Sequence, residues 1–374
     1  MASQSPVDLT RCRAWPPTAV TLRPVPGFLS DNNAGLCPEA LHAIHEANGP
    51  HQPAYGDDDY TAAAEVELRR IFAEAVSVWF VATGTAANTL AIAALTEPWQ
   101  QVVCHLYSHY NHDESTAPER VTHCRTVGLP TDTGKLEPAD IARVGRQARG
   151  DVHQPQPGVV TLSNPTEFGT VYTPDEVAAL CRAAHEAGFR VHVDGARFAN
   201  AVVALDCNPS ALSIDAGIDA LSFGGTKNGL AYGEAVLFFP QGDGRVFERA
   251  TAAFAYHRKA TGHLLSKHRF LTAPFAATLR DGVWLRRAAD ANRAAARLSA
   301  GLVDLGYELR FPTQTNGVFV TMAPEVDRAL TERGHAYYRF GEPGWNMFRL
   351  MCSFDTTDAQ IEGFLADARA ALGR

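Results

Sequence analysis

Lys227 lies in the stretch Leu221-Ser222-Phe223-Gly224-Gly225-Thr226-Lys227-Asn228-Gly229. The apolar run Ala220 to Phe223 predicts a short buried strand, and Glu234 to Phe239 predicts the next one. Gly224 and Gly225 let the backbone turn tightly and approach a ligand closely. A lysine at the end of a buried strand, with no acid beside it in the sequence, is placed as a desolvated amine. Such an amine gives up its proton readily and forms a Schiff base with an aldehyde. Taken alone, the same lysine also reads as an ordinary surface-turn residue.

A carboxylate upstream changes that balance. Phe189-Arg190-Val191-His192-Val193-Asp194-Gly195-Ala196-Arg197 predicts a strand that ends in Asp194. Lysine and aspartate on neighbouring strand ends are the pair a pyridoxal phosphate site needs: the amine holds the aldehyde and the carboxylate keeps the ring nitrogen protonated. A third segment supplies an anion site. Val76 to Val81 predicts a strand running into Thr83-Gly84-Thr85-Ala86-Ala87-Asn88, where an Ala/Leu-rich helix starts. Free N–H groups and the positive helix end converge there, which assigns a phosphate to Gly84 and Thr85 with Asn88 close by. The plain reading of this turn is a β-to-α connection capped by Thr83.

These three segments, Asp194-Gly195-Ala196-Arg197-Phe198, Phe223 to Gly229 and Thr83 to Asn88, resemble the L-threonine aldolase family of low-specificity, β-eliminating-lyase type. The resemblance runs from about Phe28 to the end of the chain. It implies fold type I of the pyridoxal phosphate enzymes: an α/β, aspartate-aminotransferase-like large domain with a mainly parallel seven-stranded sheet, and a small α+β C-terminal domain. The implied division is an N-terminal arm over 1–27, a large domain over 28–272 and a small domain over 273–374. The implied activity is cleavage of an L-β-hydroxy-α-amino acid to glycine and an aldehyde, in a homotetramer or homodimer with shared active sites. Transamination, β-elimination or α-decarboxylation on the same scaffold is the near alternative. A phosphate-binding protein without covalent chemistry is the alternative from a different class.

The resemblance also distributes roles. Ser30 reaches the substrate carboxylate, Tyr55 of Tyr55-Gly56-Asp57 reaches the neighbouring subunit's cofactor region, and Arg197 holds the ring oxygen and the substrate carboxylate. His109 stacks on the pyridine ring and Glu114 lies near the substrate, so His109 or a water near Glu114 takes the β-hydroxyl proton. Thr166 bonds the ring oxygen. Arg269, in Ser266-Lys267-His268-Arg269-Phe270, is a cationic contact to the phosphate region. The wording Ser108-His109-x-Asn111-x-Asp113-Glu114 is closer to the phenylserine aldolase branch. Ser115-Thr116-Ala117-Pro118-Glu119 stands where many relatives read Cys-Gly-Ala-Pro-Glu.

The His-rich segment carries a rival reading, because His105, His109 and His112 with two acids are metal-ligand types. On a helix the three imidazoles would share a face. If the segment stays extended, His105 and His109 stand roughly 13 Å apart, too far to share an ion. No metal is expected. Arg349, alone among apolar residues in Met347 to Met351, needs a partner: a substrate carboxylate or an internal acid.

The elements that must position these residues follow from patterning. Helices are predicted from Pro38 (with Leu41 and Ile44 on one apolar face), over Thr61 to Ala73, from Thr173-Pro174-Asp175-Glu176 and over Trp284 to Leu305. Strands alternate with them at Gln101 to Cys104, Val159 to Leu162 and the two site strands, which predicts a mainly parallel sheet covered on both faces. With 374 residues, 46% of them hydrophobic, the chain has ample core. A net charge of −8 argues against nucleic acid or an acidic membrane as partner. No apolar run is long enough to span a bilayer and the first residues lack a signal-peptide core. Seven dispersed cysteines without a Cys-x-x-Cys pair suit reduced thiols and a cytoplasmic location.

Overall fold

The computed structural model describes residues 27–242 and 244–373. Nearly all of the expected N-terminal arm, together with Cys12, therefore lies outside the described residues. The large sheet is built from β1 (Ser77–Val81), β2 (Gln100–His105), β3 (Arg125–Leu129), β4 (Gln156–Ser163), β5 (Arg190–Gly195), β6 (Ala220–Gly224) and β7 (Glu234–Phe238). Their order is β1-β7-β6-β5-β4-β2-β3. The pairs from β3 to β6 are parallel, whereas β7 runs antiparallel to both β1 and β6.

Every residue of β6 and β7 is buried, as expected of mostly apolar strands covered on both faces, with Ser222 and Glu234 the polar exceptions. Parallel pairing brings the C-termini of β4, β5 and β6 to one edge. Ser163 pairs with Asp194 and Asp194 with Ser222, so the polar residues at the strand ends are neighbours across the sheet. The helix Gly84–Leu95 is buried from Ala86 to Leu95, which is why it is apolar all round instead of amphipathic. The helix Pro174–Glu186 starts as predicted, with Thr173 and Glu176 forming a reciprocal capping box.

The helix Pro38–Ala47 forms, but its buried face is not the expected one. Ala40, Ala43 and Ala47 face inward, while Leu41 is 60% exposed. Ala43 and Ala47 pack against Ala273 of the helix Arg269–Arg280, with Phe270 and Tyr60 alongside. Small residues at helical spacing let two backbones approach, and that closeness selects Ala over the bulkier Leu and Ile.

A second sheet, β8 (Glu308–Leu309), β9 (Gly317–Thr321), β10 (Tyr338–Arg339) and β11 (Met347–Met351), is antiparallel in the order β10-β11-β9-β8. Leu298, Leu302, Val318, Val320, Leu350, Ile361 and Phe364 form its core. The core changes along the helix Val283–Asp304: Trp284 and Ala288 belong to the large-sheet core, Ala294 to Leu302 to the small one. Position 272 falls inside the helix Arg269–Arg280, whose Leu271, Phe275 and Leu279 pack in the large core. Phe28 instead joins the small core, edge-on to Phe364 at 5.3 Å. The six described cysteines are unpaired. No helix among the described residues is long and apolar enough to cross a membrane.

Candidate active site

At the end of β6 the chain passes through Gly224 and Gly225 into a single 3-10 turn, Thr226–Asn228, that carries Lys227. The two glycines are required by backbone, not by a ligand. A Cβ on Gly224 would stand 2.3 Å from the Ala196 carbonyl oxygen, and one on Gly225 2.7 Å from that of Gly233. Lys227 has no hydrogen-bond or salt-bridge partner among the described residues. An acid from further along the chain does lie nearby. Glu234, at the start of β7, accepts the Gly225 N–H at 2.8 Å, and burial pushes its carboxyl up to about 7.

Asp194 is buried at the end of β5, with Oδ1 accepting the Ala196 N–H at 2.9 Å and Oδ2 the Asn88 amide at 2.7 Å. Burial by itself would raise its pKa, but the charge of His109, the Ala196 N–H and the charge of Lys227 together hold it below the ordinary carboxylate value. Asn88 also donates to Glu114 Oε1 at 3.2 Å, and that oxygen lies 2.7 Å from His109 Nδ1. His109 opens a short helix, His109–His112, capped by Ser108, and its backbone N–H donates to Glu167 at 3.1 Å. Burial opposes protonation of His109, yet Glu114 and the charge of Asp194 carry its pKa above the ordinary 6.5.

Gly84, Asn88, His109, Glu114, Glu167, Asp194, Arg197 and Lys227 line one cavity. It shares His109, Glu167, Arg197 and Lys227 with a neighbouring cavity of ≈ 550 Å³ that adds Ser30, Tyr107, Tyr338, Phe340 and Arg349. That volume is in the range of small-molecule sites. Arg349 has no ion-pair partner among the described residues, and its Nε has no hydrogen-bond acceptor. The rings of Tyr338 and Phe340 lie 5.4 and 5.1 Å from its guanidinium. Burial, joined by the charge of Arg197, lowers its pKa. The internal ion pair that was the other sequence reading of Arg349 is thus not formed.

Arg197 is committed differently from the expectation. Its Nε and Nη2 donate to the buried Asp31 at 2.6 and 2.8 Å, a bidentate pair that leaves only part of the fork for a ligand. At the N-terminus of the helix Gly84–Leu95, Thr83 Oγ1 accepts the Ala86 N–H at 3.3 Å. The Gly84 and Thr85 N–H groups have no acceptor among the described residues. Open space surrounds the place of a Cβ on Gly84. Asn88, one turn further on, faces Asp194 and not this end.

Thr166, Arg269 and Tyr55, assigned contacts to the cofactor or a neighbouring subunit, hold other partners within the chain. Thr166 turns its hydroxyl to Thr170 at 2.7 Å and lines an adjacent cavity with His105, while its neighbours Pro165 and Glu167 flank the site. Arg269 donates to the Ala47 carbonyl at 2.9 Å and lies over the Phe270 ring. Tyr55 is half exposed with a left-handed backbone, φ 63°, beneath Lys259. Among the described residues no group of three or more His, Cys, Asp or Glu side chains converges on a metal position. His105 instead accepts the Tyr107 N–H on Nδ1. Asp31 and Glu167 are site residues that the sequence reading did not single out. Asp31 follows Ser30 directly, and Glu167 follows the expected Thr166.

The donor set fits pyridoxal phosphate. A partnerless lysine amine and an ionised buried carboxylate line one cavity, an imidazole stands beside them, and free N–H groups lie at a helix end with room before them. Comparison with known proteins agrees. Residues 27–325 match the family described as beta-eliminating lyase. The low specificity L-threonine aldolase of Pseudomonas sp. (strain NCIMB 10558) is 44% identical over 347 residues, 92% of this chain and 97% of that protein. The solved structure of Leishmania major threonine aldolase is similar at a TM-score of 0.84 and 26% identity, over 92% of this chain and 98% of that one. An aspartate aminotransferase from Thermus thermophilus shares the fold at a TM-score of 0.62 and 19% identity, over 93% and 98%. By motif, by identity and by fold, the chain belongs to the beta-eliminating lyase family, in its L-threonine aldolase group.

Proposed function

We propose that the protein is a pyridoxal phosphate-dependent aldolase that cleaves L-β-hydroxy-α-amino acids of the threonine, allo-threonine or phenylserine type, reversibly, to glycine and an aldehyde. One observation carries the reading: Lys227, Asp194 and His109 line a cavity that merges with the one holding the unpaired Arg349 guanidinium. When bound, the cofactor supplies a conjugated, protonated ring that takes up the electron pair of the broken Cα–Cβ bond. Lys227 would hold its aldehyde, Asp194 its ring nitrogen, His109 its face, and the Gly84 and Thr85 N–H groups its phosphate.

Arg349 and Ser30 bind the substrate carboxylate, and the free part of the Arg197 fork assists. Fixing the carboxylate sets the torsion about Cα, which selects the bond that breaks. His109 takes the β-hydroxyl proton. Its Nδ1 is committed to Glu114, so Nε2 is the nitrogen left for the substrate, and Glu114 stabilises the imidazolium that forms. Glu114, whose side chain is fully buried, acts through His109. The aromatic lining from Tyr107, Tyr338 and Phe340 supports an aryl β-substituent of the phenylserine type. The half-exposed Tyr55 supports a homodimer or homotetramer in which this tyrosine reaches a neighbour's site. The unpaired state of the six described cysteines supports a cytoplasmic setting.

The test is incubation with cofactor and, separately, threonine, allo-threonine and phenylserine. Glycine and aldehyde are expected in equal amounts, without keto acid or carbon dioxide. Lys227→Ala is expected to lose cleavage and the visible absorbance of lysine-bound cofactor together. A colourless variant of full activity sinks the assignment.

A further inference from the structure

We propose that Asn88 is a positioning residue that holds two acidic side chains, Asp194 and Glu114, in place by donating one amide N–H to each. The proposal rests on the cofactor-dependent reading above, because it concerns the acid placed at the ring nitrogen and the acid placed behind His109.

Asn88 is buried one turn into the helix Gly84–Leu95. Its Nδ2 stands 2.7 Å from Asp194 Oδ2 and 3.2 Å from Glu114 Oε1. Ionised carboxylates only accept hydrogen bonds, so only the NH₂ side of the amide can face them. The Asn88 carbonyl oxygen is accordingly turned away, buried and without a partner. Glu114 Oε2 also lacks a partner, so Asn88 and His109 make all the side-chain hydrogen bonds this carboxylate receives among the described residues.

Two like charges sharing one buried site are costly, and one of them ordinarily keeps its proton. A neutral group with two donors eases that conflict, since it places an N–H in front of each carboxyl. The result is an unbroken chain, Asp194–Asn88–Glu114–His109, that ties the acid under the ring nitrogen to the imidazole on the ring face. The Ala196 N–H fixes the other Asp194 oxygen, so the carboxylate is clamped at both ends. Asn88 touches neither Arg349 nor Ser30, and its effect belongs to the cofactor and the chemical step rather than to substrate capture.

The test compares holoenzymes of the wild type and of Asn88→Ser, Asn88→Ala and Asn88→Asp. The readouts are the equilibrium affinity for pyridoxal phosphate, and kcat and KM. The alanine variant is expected to bind the cofactor roughly tenfold to a hundredfold more weakly, the loss of two charge-assisted hydrogen bonds. The serine variant, which keeps one donor, falls between alanine and wild type. The aspartate variant is weakest although it has the size and shape of the native residue, because it adds a third carboxylate. In all three, kcat drops while KM for the amino acid moves by less than about threefold. An aspartate variant that binds cofactor better than the alanine variant overturns the proposal, since packing alone would then account for the residue. Should the aspartate variant not fold by circular dichroism, equal affinities for serine and alanine overturn it just as well. Absence of aldehyde release by the wild type would instead sink the aldolase reading and leave the affinity order to decide the role of Asn88.

Discussion

Arg349 is half-buried beside aromatic rings with an Nε that has no acceptor, so a guanidinium stands ready for a planar anion. A substrate carboxylate satisfies both nitrogens of the fork, whereas an ammonium offers one point charge. Arg349→Lys is therefore expected to raise KM roughly tenfold to a hundredfold with little change in kcat, because the carboxylate is held alike in ground and transition states. Unchanged KM in initial-rate measurements would remove Arg349 from the substrate site. The pH profile reports on His109. Glu114 favours the imidazolium and helps carry the His109 pKa above 6.5, and His109 must be neutral to accept a proton. Activity then rises with pH along an acid limb placed above 6.5, and Glu114→Gln moves that limb to lower pH while lowering kcat. Arg349 was legible in the sequence because a charge in an apolar strand demands an explanation. The bridge made by Asn88 was not: its partners lie 26 and 106 positions away, and an asparagine near a helix start reads equally well as a phosphate contact. The Asp31–Arg197 pair, 166 positions apart, was hidden for the same reason.

Among elements, the strands β4, β5 and β6 and the helix Gly84–Leu95 were readable, because short valine-, leucine- and phenylalanine-rich segments bounded by glycine and cap residues admit few other structures. The inward face of Pro38–Ala47 was misread, since hydrophobicity ranks Leu41 and Ile44 above the alanines that a close helix contact selects. Glu234 shows the same limit on a strand. It opens β7, which is buried throughout, and accepts the Gly225 N–H beneath the lysine turn. Its carboxyl is pushed by burial from 4.5 up to about 7, so the folded state holds a proton that the unfolded chain releases earlier. The stability this proton confers is full below pH 4.5 and is lost as pH rises through about 7. Glu234→Gln keeps the acceptor for Gly225 and removes the ionisation. The difference in unfolding free energy between variant and wild type should grow in the variant's favour between pH 5 and 8, up to on the order of 3 kcal/mol. Urea denaturation at the two pH values measures it, and a constant difference would show that Glu234 ionises freely in the fold.

At the scale of the whole molecule, the site depends on how the two cores meet. Lys227, Asp194 and His109 are fixed by the large sheet, Arg349 by β11 of the small one, and Phe28 anchors the segment leading to Ser30 in the small core. Two of the polar contacts that cross between these bodies lie near the site. Asn316, just before β9, donates to Asp31, which in turn holds Arg197. The Tyr107 hydroxyl, on the segment after β2, donates to Glu342 on the loop after β10. Both Tyr107 and Glu342 line the substrate cavity, and Tyr107 also packs on Phe168 and Trp345, ring centroids 5.6 and 6.0 Å away. If the contact closes the cavity by joining the two bodies, the residues act as a unit and their losses do not add. Tyr107→Phe and Glu342→Gln should each raise KM for phenylserine several-fold, and the double variant should be no worse than the poorer single one, a coupling of about 1 kcal/mol in kcat/KM. Cofactor affinity should stay at the wild-type value in all three, because neither side chain lines the cavity that holds Lys227 and Asp194. Additive losses would mean that each residue contacts the substrate independently, and that the Tyr107–Glu342 contact does not join the two bodies as a unit.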